Sequence, residues 1–198
     1  MKLWTIQTLD AWQLLQAAGC LRADLRSVDP DHLMAYEWMI EQARQRIGPT
    51  PAGCQSLIWA WYQWQDQSRR KPDLRFGAHL PKGTAGVRLE LEVDDAQVLL
   101  SDFELWHHVL SYTYLPASEA DDEAFSAELE QRGLSVYTTR PLLDSVYHER
   151  IRQSWQRIFD LDWSDEYVAR PRAQKSIQAV FWELHIEQVQ HVQHFVAR

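Results

Sequence analysis

The stretch Leu57 to Trp64, LIWAWYQW, decides the fold. A strand open to solvent on one face alternates apolar and polar side chains, whereas this run is apolar on both parities, so it predicts a strand covered on both faces. Its aromatic side chains suit a strand better than a helix. It is expected to lie inside a sheet, with Trp59 or Trp61 largely buried.

Outward from it, the chain supplies partners for that strand. Leu3 to Gln7 reads as a short strand, Thr8 can cap a helix over Leu9 to Ala18, and Gly19 stops that helix. Asp29 and Pro30 start a second helix, with Leu33, Tyr36, Ile40, Ala43 and Ile47 on one face at three- and four-residue spacing and Gly48 and Pro49 at its end. Val87, Leu89, Leu91 and Val93 alternate with Arg88, Glu90 and Glu92, which predicts a half-buried strand after a turn at Gly83 to Gly86.

Gln97 to Leu100 reads as a further strand, and Ser101 with Glu104 as a capping box for a helix to about Tyr112. Pro116 to Gly133 is acidic and reads as a surface excursion with one short helix. Leu143, Tyr147, Ile151, Trp155 and Ile158 predict a long amphipathic helix over about 141–159. Ile177 to Leu184 reads as a last buried strand, and Ile186 to Arg198 as either a hairpin or a terminal helix. The element order implies one α+β domain over residues 1–198, built on a central bent sheet of antiparallel or mixed strands with segregated helices.

The 198 residues are 45% hydrophobic and 24% charged, enough apolar material for a core. A net charge of -8 argues against non-specific nucleic-acid binding and against a membrane held by bulk charge. No stretch reaches membrane-spanning length and no leader pattern opens the chain, so a cytoplasmic location is expected. Ten tryptophans promise a crowded core or an aromatic-lined pocket.

For chemistry, Cys20 and Cys54 are too few for a disulfide framework or a thiolate cage and are expected to stay reduced. His107 and His108 diverge by about 100° on a helix, and His185, His191 and His194 have no acidic or thiolate residue at a recognised ligand spacing, so no metal site is expected. Glu90 and Glu92 share a strand face, read as its solvated side. Arg69, Arg70, Lys71 and Arg75 gather four cations after the aromatic strand, where Arg75 can grip phosphate while nearby rings stack on a base. The alternative is a solvated loop in which Asp73 pairs with Arg75. Trp61 and Gln63 share a parity and set a ring beside an amide. Gln178, Trp182 and Glu183 are the remaining polar and ring groups of the last strand.

The runs LWTIQ at Leu3, WAWYQW at Trp59, KPDLR at Lys71, LLSDFELWH at Leu99 and SWQRIFDL at Ser154 resemble an uncharacterised bacterial domain-of-unknown-function family over nearly the whole chain. More distantly, the order of elements resembles the ADP-ribosyltransferase fold. That second resemblance implies an NAD-like ligand, with Thr5 at the first-strand position where those enzymes hold the ribose and Gln178 where they carry a catalytic Glu, Glu183 being a substitute. A Gln amide can bond a ribose hydroxyl but offers no charge to an oxocarbenium-like centre. It further implies that first and last strands are neighbours, so that Gln178 faces the same cleft as Thr5 and Gln7.

The expected function is binding of a nucleotide or NAD-like molecule in a cleft lined by Thr5, Gln7, Trp61, Gln63 and Arg75, with ADP-ribosyl transfer to a macromolecular acceptor through Gln178 or Glu183 as its catalytic extension. The alternative is a non-catalytic recognition module for a base, a modified nucleotide or a protein partner.

Overall fold

A computed structural model describes residues 1–137, 141–142 and 145–198. The chain is α+β, and it divides into two compact units, residues 1–100 with 177–198 and residues 101–176.

The first unit holds β1 (Lys2–Thr8), α1 (Leu9–Ala18), β2 (Cys20–Arg22), α2 (Leu33–Arg46), β3 (Ile58–Gln63), β4 (Ala85–Glu92), the start of β5 (Leu99–Asp102), β6 (Ile177–Phe181), β7 (Glu183–His185) and β8 (Val189–Val196). Six strands form a sheet in the order β5-β6-β3-β1-β4-β8, and β2 pairs with β7 in a separate ribbon. The β1–β3, β1–β4, β3–β6 and β4–β8 pairs are all antiparallel. β3 is therefore an interior strand, as its two-sided apolar pattern requires. Trp59 and Trp61 are half-buried rather than largely buried.

Strand alternation sorts the side chains. Leu3, Ile58, Ala60, Val87, Leu89, Leu91, Ala179 and Phe181 form one core with Trp12 and Leu15 of α1 and Leu184 of the ribbon. The other face carries the row Trp4, Trp61 and Gln178, aligned by the pairs Trp4↔Trp61 and Trp61↔Gln178. α1 forms between the expected caps: Thr8 accepts from the Ala11 N–H at 3.1 Å, and Gly19 takes φ +74°, a left-handed conformation costly for a residue with a Cβ.

Several elements differ from the sequence expectation. α2 buries Ile40 and Ala43 as expected, but the buried stripe also takes in Ala35, Trp38, Met39 and Gln42, because the large Trp38 and Met39 turn toward the core while Leu33 stays exposed. A short 3-10 turn at Asp95–Gln97 moves β5 to Leu99–Asp102. The expected single strand over Ile177 to Leu184 breaks at Trp182 into β6 and β7, which join different sheets. The terminal segment is β8, paired with β4 from Ala85↔Val196 to Leu91↔Val189, rather than a helix.

The second unit contains α3 (Phe103–Leu110), α4 (Glu119–Gln131) and α5 (Val146–Ser154). Asp102, rather than Ser101, caps α3 by accepting from the Glu104 and Leu105 N–H groups. The acidic segment folds as the 13-residue α4, whose first-turn Glu119, Asp121 and Asp122 suit the positive helix end while Phe125 and Leu129 supply a buried stripe. α5 gives way at Trp155 to a 3-10 turn through Phe159, and Leu143 of the expected longer helix lies outside the described residues. Trp155 donates to the Thr113 carbonyl at 2.8 Å, and Lys175 and Asp102, 1% and 3% exposed, form a buried ion pair at 3.0 Å.

Candidate functional site

A groove of about 530 Å³ opens where the end of β1 and the start of β3 meet β2 and α2. Its walls carry Gln7, Arg22, Asp29, His32, Tyr36 and Trp59. Thr5 is fully buried and donates to the Trp59 carbonyl at 2.8 Å, while Gln7 Nε2 donates to Thr5 Oγ1 at 2.8 Å. This chain fixes the Gln7 amide to the β1–β3 pair and leaves its carbonyl oxygen as an acceptor. The Tyr36 and Trp59 rings meet at 5.5 Å between centroids and 59°, and burial raises the Tyr36 phenol above its ordinary value. Asp24, also on the wall, is lowered by the Arg26 guanidinium.

Of the site residues expected from sequence (Thr5, Gln7, Trp61, Gln63, Arg75, Gln178 and Glu183), only Gln7 lines this groove directly, with Thr5 bonded to it and Glu183 linked to its wall through Arg22. Thr5 and Gln178 do not share a cleft. β3 lies between β1 and β6, and because Trp4, Trp61 and Gln178 form one row, alternation turns Thr5 to the opposite face. The expectation that first and last strands are neighbours is thereby corrected. Gln178 itself is 4% exposed. Gln63 does not continue the row of Trp61, since a register shift sets it opposite Ile177.

The basic segment is neutralised locally. Arg75 donates from Nε at 3.0 Å and from a terminal nitrogen at 2.5 Å to Asp73, which holds the Asp73 carboxyl down to about 2. Arg69 pairs with Asp66. Arg70 donates to the Tyr62 carbonyl at 3.0 Å with its guanidinium 4.3 Å from the Tyr62 ring centroid. None of these cations lines the groove. Glu90, expected to be solvated, is half-buried and accepts from Lys2 at 2.7 Å and from the Trp4 indole at 3.1 Å.

The ribbon assembles a group that sequence spacing did not connect. Cys20 stands opposite His185, Leu21 opposite Leu184, and Arg22 opposite Glu183. Alternation sends the two leucines toward the core and puts Cys20, Arg22, Glu183 and His185 on the other face. Donor atoms of Cys20, Glu183 and His185 lie within 4.8 Å of one another. The missed signal was the alternation of Glu183, Leu184 and His185 set against that of Cys20, Leu21 and Arg22; partners this far apart in the chain cannot be matched by local spacing.

Residues 2–190 match the model of the family described as Domain of unknown function (DUF3841), and the chain belongs to that family. No curated protein matches the chain.

Proposed function

We propose that this member of the DUF3841 family binds a nucleotide-like ligand in the groove beside Gln7, with the base against the Trp59 and Tyr36 rings and the ribose hydroxyls bonded by Gln7 and Asp29. The observation that carries this reading is a groove of about 530 Å³, inside the size range of small-molecule sites, whose lining includes both Gln7, with its amide pinned by Thr5, and the packed Trp59 and Tyr36 rings. Arg22 is the cation on that wall and suits a phosphate at the mouth.

Binding without group transfer is the reading we favour. A transferase needs a charged or polar group aimed at the reacting ribose carbon, and Gln178, the residue the ADP-ribosyltransferase resemblance assigns to that role, belongs to the opposite face of the sheet from Thr5. An NAD-like molecule then serves as a bound ligand rather than as a donor, and no acceptor macromolecule is required.

A thermal-shift panel of NAD, ADP-ribose and the four common nucleoside monophosphates tests the reading. A ligand at 100 times its Kd stabilises the native state by about 2.7 kcal/mol, an easily read rise in Tm. The expected result is a rise for at least one member that is reduced in Gln7→Ala. A flat panel would refute nucleotide binding, and rapid release of nicotinamide from NAD would refute the exclusion of transfer.

A further inference from the structure

We propose that Cys20, Glu183 and His185 form a three-donor site for a divalent transition metal of the zinc class, carried by the β2–β7 ribbon. The three donors lie outside the groove beside Gln7, and Arg22, which bonds Glu183, connects the site to the wall of that groove.

The donor geometry is close to what such an ion needs. Glu183 Oε1 lies 3.7 Å from Cys20 Sγ, and Glu183 Oε2 lies 3.8 Å from His185 Nε2. Zinc–sulfur bonds near 2.3 Å and zinc–nitrogen or –oxygen bonds near 2.0 Å in a tetrahedron put neighbouring ligand atoms about 3.3–3.5 Å apart. With one oxygen taken from Glu183, the three donor atoms lie within 4.8 Å of one another, so the trio closes onto an ion by contracting no more than about 1.5 Å. A thiolate, an imidazole and a carboxylate are donors of mixed softness that suit zinc and disfavour magnesium or calcium.

The surroundings are those of a held site. Arg22 bonds Glu183 Oε1 from Nε at 2.7 Å and leaves Oε2 toward the imidazole, so one guanidinium orients the ligating carboxylate. The His185 N–H donates to Gln188 Oε1 at 2.8 Å, which anchors the backbone that carries the ring. Thiolate and carboxylate turn two negative charges toward the ion, the carboxylate's shared with the Arg22 guanidinium. All three donors are half-buried, and Glu183 and His185 line a cavity of about 210 Å³ with Pro49, Pro51 and Trp182. Three protein ligands beside a cavity leave the fourth position to water or a small ligand, as in sites where zinc acts as a Lewis acid.

The test is titration of the chelator-stripped chain with Co²⁺. One equivalent is expected to bind with a sulfur-to-cobalt charge-transfer band and to be displaced by Zn²⁺. Cys20→Ser should abolish the band, and His185→Ala should weaken binding at least about tenfold. No band in the wild-type chain, or a band that survives in Cys20→Ser, would overturn the site. Should the variants fail to fold, X-ray absorption of the zinc-loaded wild-type chain decides: a sulfur neighbour near 2.3 Å is expected, and a shell of nitrogen and oxygen alone would overturn it.

Discussion

The basic segment around Arg69 to Arg75 and the ribbon of β2 and β7 both gather charged side chains, but by different means. In the segment, Arg69 and Arg75 bond acids two or three residues away, Asp66 and Asp73, within the same turns. In the ribbon, Arg22 reaches Glu183 and Cys20 faces His185 across paired strands. Charges that find partners locally neutralise one another at the surface. Of the groups brought together by strand pairing, Cys20, Glu183 and His185 are half-buried with the core behind their strands, and chemistry is more readily built there.

The comparison breaks first if the ribbon does not depend on its core face. Leu184 is fully buried within the main core cluster, so Leu184→Ala should cost about 2–5 kcal/mol in denaturant unfolding. A near-neutral result would mean that the ribbon is held by its charged face instead. Next in size is Thr5→Val, which keeps the shape but removes the donor to the Trp59 carbonyl and the acceptor for Gln7. The expected loss is about 1–3 kcal/mol in the same measurement, because a buried carbonyl loses its partner. Equal stability would show that water replaces the hydroxyl.

Where pattern is local, the sequence was readable. The Thr8 and Gly19 caps, the two-sided β3 and the alternating β4 follow from neighbours along the chain. What was not readable depended on pairing across the chain. The interruption at Trp182 sends Glu183 into a second sheet, and Leu184 faces the core from there, yet Ile177 to Leu184 looks continuous because β6 is largely apolar and Trp182 and Leu184 extend its apolar run. The C-terminal strand was ambiguous because its residues are largely exposed and it is defined by its pairing with β4. Among site residues, Gln7 could be found by parity along β1, whereas Trp59 and Tyr36 form one wall only once α2 is laid against β3.

A smaller effect sharpens the local half of the comparison. Asp73 is held at about 2, below its ordinary 3.8, chiefly by the Arg75 side chain. Its folded pKa is depressed, so its contribution to stability is present above about 4 and is lost as pH falls from there through about 2. The carboxyl is exposed, so the change in stability should be slight. NMR titration of the Asp73 side chain should give a midpoint near 2 that returns toward 3.8 in Arg75→Ala. A wild-type midpoint near 3.8 would show that the pair does not persist in solution.

The central claim is that ligand chemistry lies in the groove beside Gln7 and not in the basic segment. Calorimetric titration of the panel nucleotide with the largest thermal shift, into wild type, Gln7→Ala and Arg75→Ala, tests it most directly. Loss of one hydrogen bond should weaken binding to Gln7→Ala by about two- to tenfold. Binding to Arg75→Ala should match wild type, since that guanidinium is already engaged by Asp73 and lines no wall of the groove. Unchanged affinity in Gln7→Ala together with a large loss in Arg75→Ala would contradict the account and move the site to the loop.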